Sequence, residues 1–178
     1  FNRTRGLAEG KALDIKESSP VDDFDLTITG TDRIEDTGES DVVVLTTGMP
    51  RQPGMSRDDL LNMNASIVSA ICVQIAKTSP NAVLVVVSNP VDAMVHVAAK
   101  ATLFPRHKVM GMAGILDSSR LRTFIALELG VSVEDTNALV LGGHGDFMVP
   151  LPRHAAVGGI PVSDLLPEDR VTALIERT

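Results

Sequence analysis

His144 stands between glycines in Gly142-Gly143-His144-Gly145-Asp146. Glycine on both sides frees the backbone for unusual angles and lets a ligand approach closely. An imidazole in that setting can exchange a proton near neutral pH, or it is a plain turn histidine. His96, His107 and His154 lack such surroundings and read as structural. Asp117, in Leu116-Asp117-Ser118-Ser119-Arg120, offers a carboxylate able to hold the imidazole in one tautomer. Its structural alternative is the N-cap of the helix it opens. Arg120 comes three residues later and emerges on the same side of the helix. Its guanidinium can clamp a carboxylate with two bonds, or pair with Asp117, or stand exposed. Arg51 and Arg57 bracket Pro53-Gly54 in a loop that follows an apolar run. A loop punctuated by Pro and Gly and carrying two cations suits a lid over an anion, and alone it would read as a solvated basic loop. One proton carrier, one orienting carboxylate and three arginines make a kit for moving a proton on a small dicarboxylate.

The elements that must position this kit alternate. Val42 to Gly48 and Ala82 to Ser88 are continuous apolar runs, which predicts parallel strands covered on both faces. Leu26-Thr27-Ile28-Thr29 reads as a shorter strand, and Val109-Met110-Gly111-Met112 as another buried one. Leu60, Asn64, Ile67, Ile71 and Ile75 recur at helical spacing, with Ser56 and Asp59 as a capping pair at the start. A second helix is expected from about Asp117 to Leu129, its Leu121, Phe124 and Ile125 inward and Gly130 at its end. Strands alternating with helices imply βαβ units and a doubly wound α/β sheet. Loops after the C-terminal ends of such strands are where ligands bind. Asn64 is an amide on an apolar stripe and needs a partner there. Asn89 ends a strand before Pro90 and is biased to an extended backbone. After Gly142 the chain turns to Gly- and Pro-rich loops, and Pro167 to Thr178 reads as a last helix. A second region starts near Asp117, dividing the chain into 1–116 and 117–178.

Composition narrows the function classes. The 178 residues are 44% hydrophobic and 22% charged, as in globular domains, and hold no run of 18 apolar residues. A net charge of −7 argues against a nucleic-acid binder. It also requires that any anion site be locally more positive than its surroundings. One cysteine, Cys72, excludes an intrachain disulfide and a cysteine metal cluster, so no metal site is expected. The absence of Trp and Tyr argues against stacking platforms for bases or sugars.

Five segments, taken in order, resemble the lactate/malate dehydrogenase family, most closely its lactate-dehydrogenase-like malate dehydrogenases. They are Gly10-Lys11-Ala12-Leu13-Asp14, Pro50 through Leu60, Val87-Ser88-Asn89-Pro90-Val91-Asp92, Leu116 through Arg120, and Gly142 through Asp146. The resemblance implies a Rossmann-type doubly wound parallel sheet lacking its first strands, in 1–116, followed by part of an α+β substrate domain, in 117–178. It implies reversible NAD-dependent hydride transfer between malate and oxaloacetate, a reaction of the tricarboxylic acid cycle. By that carry-over His144 exchanges the proton and Asp117 pairs with it. Arg120 clamps the C1 carboxylate, Arg57 polarises the C2 carbonyl, and Arg51 reads the distal carboxylate. Asn89 contacts substrate and nicotinamide, Asn64 contacts the cofactor, and Val87 and Ser88 line its groove. The residue count agrees: oxaloacetate has two carboxylates and a carbonyl that becomes negative as hydride arrives, and three arginines match those needs. With a monocarboxylate a third arginine would be buried without a partner. Lactate enzymes of the family carry glutamine where Arg51 stands.

Two departures bear on the cofactor. The family's Gly-x-Gly-x-x-Gly turn, which grips a pyrophosphate at a helix N-terminus, is absent from this sequence. We therefore expect the chain to belong to a longer protein and, alone, to bind cofactor poorly. Asn2 stands where the family has an aspartate for the adenosine ribose, and Arg3 and Arg5 follow it. That exchange leaves NADP as an alternative to NAD. The resemblance further implies a homodimer or homotetramer, to which the Leu60–Ile75 helix could contribute, and a cytoplasmic location. The competing readings are a non-catalytic fragment or scaffold of the same fold and a lactate-type 2-hydroxyacid dehydrogenase. A hydrolase is disfavoured because no Gly-x-Ser-x-Gly elbow occurs.

Overall fold

The computed structural model describes residues 1–50, 52–145 and 147–178, with Arg57 described by its backbone alone. The first half runs α1 (Arg5–Asp22), β1 (Val42–Leu45), α2 (Arg57–Thr78), β2 (Val83–Val86), α3 (Val91–Thr102) and β3 (Val109–Gly111). The strands form a parallel sheet in the order β1-β2-β3, with Val43 opposite Leu84 and Leu84 opposite Val109. Parallel neighbours need long crossovers, and α2 and α3 provide them. A full capping box starts α2: the Ser56 hydroxyl accepts from Asp59 N–H, and the Asp59 carboxylate accepts from Ser56 N–H. Val68, Cys72 and Ile75, at helical spacing, put one face of α2 into a core with Leu45, Leu84, Val86, Met94, Ala98 and Val109. By length and composition α2 could cross a membrane, but that stripe is spent on the sheet and on α3. Each large core side chain contributes about 1.5–3 kcal/mol.

Three expectations need correction. The Val109–Gly111 strand, read as buried, is buried only at Val109, with Met110 44% exposed at an edge of the sheet. The Val42–Leu45 strand is covered on one face only: Val42 and Val44 are 57% and 59% exposed. Among the described residues nothing packs over that face, whereas Leu45 points into the core. Leu26–Thr29 is not a strand: no strand among the described residues lies beside it to take its hydrogen bonds. The chain there is held from behind instead. A Cβ on Gly30 would fall 2.3 Å from the Ala8 backbone, so glycine is what lets it lie on α1.

The second half runs α4 (Gly114–Leu129), β4 (Thr136–Asn137), β5 (Val140–Gly142), β6 (Met148–Pro150), β7 (Ala156–Val157), β8 (Ile160–Pro161), α5 (Val162–Leu165) and α6 (Glu168–Arg177). All its strand pairs are antiparallel, in the orders β4-β7-β8 and β5-β6. The helix expected from Asp117 begins three residues earlier. Gly114 can start it under β5 because a side chain there would meet the Val140 carbonyl at 2.8 Å. Gly130, at φ 65°, closes it as expected. Leu121 and Ile125 join Val140, Ala155, Val157, Val162 and Leu174 in a second core, with Phe124 packed against it. Arg122 ties α4 to the following loop through the carbonyls of Thr136 and Val133.

Candidate active site

Three elements converge on His144. The imidazole Nδ1 lies 3.0 Å from Asp117 Oδ2, across 27 residues of sequence. Asp117 is 1% exposed, so its position inside α4 is no N-cap: it is a buried carboxylate that needs partners. The imidazole takes one oxygen, and Arg120 Nη1 donates to the other at 3.4 Å. An ionised carboxylate only accepts, so Nδ1 carries the proton and Nε2 is left to exchange. Among the described residues Nε2 has no hydrogen-bond partner. Arg120 is half-exposed, and beyond Asp117 its guanidinium has no other partner among the described residues. Its pairing with Asp117 and a grip on a ligand are thus compatible.

The loop that carries His144 is the turn between β5 and β6. Gly142 sits at φ 87°, and a Cβ there would strike the Phe147 carbonyl at 2.3 Å. Gly143 N–H donates to that same carbonyl at 3.1 Å. Gly142 is thus a steric requirement of the turn, and Gly145, also at φ 87°, a conformational one. Ser118, next to Asp117, accepts from Val140 N–H at 2.9 Å and fixes the start of β5 against α4. Helix, strand and turn therefore fix the imidazole–carboxylate pair from both sides.

Across the sheet ends, Asn64 links two loops. It is 2% exposed, and its side-chain amide donates to the carbonyls of Asn89 at 2.8 Å and Met49 at 3.3 Å. Its Oδ1 accepts from Met49 N–H at 2.8 Å. The partner that a buried amide requires is thus backbone on both sides. Ser88 is also buried, its hydroxyl donating to the Leu45 and Thr47 carbonyls, and Val87 N–H donates to Leu45 at 2.9 Å. Both side-chain groups hold the loops that frame the site. The Asn89 side chain is exposed, at the start of a cis bond to Pro90.

Arg57 is the first residue of α2, set by the capping box, and its side chain lies outside the described residues, as does Arg51 altogether. The Ser56 hydroxyl and backbone hold the Asp59 carboxyl below its ordinary pKa, so the box is charged at neutral pH. Asn2 is apart from His144. It accepts from Thr4 N–H at 3.0 Å and lines an open groove of about 460 Å³ with Arg3, Val44, Thr46 and Gly48. Asp92 carries no role in the motif reading, yet it accepts the His144 backbone N–H at 3.1 Å. No side-chain motif marks it, because the donor is a backbone N–H 52 positions away.

Two family models match successive parts of this chain. The description of the first is lactate/malate dehydrogenase, NAD binding domain, over residues 2–111. The second is lactate/malate dehydrogenase, alpha/beta C-terminal domain, over residues 115–178. The chain belongs to the lactate/malate dehydrogenase family. Among the family's curated members, malate dehydrogenase from Chloroherpeton thalassium is 55% identical over 172 residues, 97% of this chain and 56% of that protein. Among solved structures, apo malate dehydrogenase from Picrophilus torridus superposes with a TM-score of 0.92 at 47% identity, over 99% of this chain and 56% of that one. Malate dehydrogenase from Plasmodium falciparum in complex with NADH gives 0.84 at 37%, over 99% and 57%. The chain thus spans little more than half the length of the relatives it matches.

Proposed function

We propose that this chain is the nicotinamide-side and proton-transfer part of an NAD-dependent malate dehydrogenase, which oxidises (S)-malate reversibly to oxaloacetate. The carrying observation is the pair formed by His144 Nδ1 and the buried Asp117 carboxylate, with Nε2 open and Arg120 beside it. In the oxidation His144 Nε2 takes the C2 hydroxyl proton, and the Asp117 carboxylate stabilises the imidazolium that results. In the reverse direction the imidazolium returns that proton to the developing alkoxide. Arg120 takes the C1 carboxylate. By family likeness Arg57 polarises the carbonyl and Arg51 takes the distal carboxylate.

The donor set fits the cofactor in part. Asn2, Thr46 and Gly48 line a groove at the sheet's open edge, and Asn89 and the Val87–Ser88 backbone lie at the ends of the strands. A glycine turn for the pyrophosphate is not among these residues. When bound, the nicotinamide supplies the hydride acceptor or donor for C2. NAD is the proposed cofactor, and Asn2 with Arg3 leaves NADP as the arm to be tested. A cytoplasmic homodimer or homotetramer is the proposed setting.

The test is oxaloacetate-dependent NADH oxidation by the complete gene product, with pyruvate and NADPH run in parallel. We expect rapid turnover of oxaloacetate, little of pyruvate, and preference for NADH. A folded full-length protein that leaves oxaloacetate untouched overturns the reading. Arg51→Gln should move preference toward pyruvate, and an unaltered preference for oxaloacetate would refute the part given to Arg51.

A further inference from the structure

Asp92 belongs to the first turn of α3, three residues after Asn89. An acid there is ordinarily explained by the helix dipole or by capping. Capping fails here: Pro90 precedes α3 with no side-chain cap, and the Asp92 carboxylate reaches a residue 52 positions away. Its Oδ2 accepts the His144 backbone N–H at 3.1 Å. The same oxygen lies 2.8 Å from where a Cβ of residue 143 would stand, so with glycine there the carboxylate is seated against the backbone of the turn. The donor belongs to the residue that carries the imidazole.

We infer that Asp92 is a positioning residue for His144, a clamp from the sheet domain onto the proton-transferring turn. His144 is then held by two carboxylates from different elements. Asp117, on α4, fixes the direction of the ring, and Asp92, on α3, fixes the backbone that bears it. The clamp also sets a distance between two parts of the site. Asn89, whose carbonyl is bound by Asn64, and Asp92 lie on one short segment. Through that segment the proton carrier is referenced to the loops at the strand ends rather than to its own hairpin alone. The contact is a solvent-exposed N–H to carboxylate bond, so it acts by setting position. Its bond length leaves little slack, and misplacement of a reacting group by about 1 Å costs up to about 100-fold in rate.

The inference rests on the dehydrogenase reading for its kinetic part and on geometry alone for the clamp. It is tested in the complete gene product with Asp92→Ala and Asp92→Asn, by amide hydrogen exchange over residues 141–148 and by steady-state kinetics. Asp92→Ala should raise exchange in that segment and lower kcat by about 10- to 100-fold with KM for NADH unchanged. Asp92→Asn keeps an acceptor oxygen, so it should restore protection and most of kcat, with the pH profile of kcat unmoved. Unchanged exchange and kcat in Asp92→Ala, or an Asp92→Asn variant as impaired as the alanine one, overturns the inference. Exchange needs no turnover. A wild-type protein inactive on malate, with exchange still rising in Asp92→Ala, overturns the dehydrogenase reading and upholds the clamp.

Discussion

The corner around His144 and the outer edge at β1 are built on opposite plans. At His144 the described polar contacts lie within the chain and the ring Nε2 is left open: Asp117 on Nδ1, Asp92 on the backbone, the Phe147 carbonyl closing the turn and Ser118 fixing the strand behind it. At β1, Val42 and Val44 face an open groove that Phe1, Asn2 and Arg3 also line. The imidazole–carboxylate geometry is therefore fixed within these residues, whereas the face of β1 is open among the described residues. Local order follows from local satisfaction of polar and apolar groups, and it need not be uniform across a sheet.

The sharpest way to break this contrast is at the corner. In the full-length protein, His144→Ala should lower kcat by about 100- to 10,000-fold without unfolding, since the proton then has no carrier. Asp117→Asn should fall in the same range, because an amide at Oδ2 can present the wrong tautomer to the ring. A variant of either that keeps wild-type kcat in the oxaloacetate assay would remove the corner's claim to the chemistry. Next comes the shared core. Leu84→Ala, at a fully buried position of the central strand, should cost about 2–5 kcal/mol in denaturant midpoint analysis. A loss under 1 kcal/mol would mean that the β1–β3 core is loosely packed.

Cys72 probes the same core by pH. Burial pushes its thiol up to about 11 from 9.0, so the folded state holds the proton more tightly than the unfolded one. The associated stability is fully present below about pH 9 and is lost as pH rises through about 11. The native protein should accordingly resist thiol alkylation at pH 8 and react on unfolding, and rapid native labelling would place Cys72 outside the core. The smallest effect belongs to the edge. Val44→Thr should change stability by under about 0.5 kcal/mol in this chain, as exposed substitutions do. A loss of a few kcal/mol in the full-length protein would show that another segment covers that face.

Much of this architecture is legible in the residues. Continuous apolar runs mark β1 and β2, the Ser56–Asp59 pair starts α2, and Gly130 stops α4. What escaped has physical causes. Leu26–Thr29 has strand composition, but a strand exists only through a neighbour, and composition does not supply one. The exposed face of β1 is a fact about what lies beside it, which its own valines cannot report. The strands of the second half are two or three residues long, too short for any period to register. Gly114, the first residue of α4, lies against a carbonyl on a strand 26 positions later in the chain, a contact its neighbours in sequence do not report. In the site, the His144–Asp117 pairing could be argued from residue types, but Asp92 could not. Its role lies in a backbone contact across 52 residues, and backbone donors leave no mark in a side-chain motif.

The Asn64 link bears on how such a site can change its substrate. Every partner of that buried amide is main chain: the N–H and carbonyl of Met49 and the carbonyl of Asn89. The link is therefore indifferent to which side chains the two loops carry. Residues that read a ligand can be exchanged along the loop after Met49 while the anchor that holds its root stays in force. Selectivity and scaffold are thereby separable, and a protein with this joint can explore new ligands without first surrendering its fold.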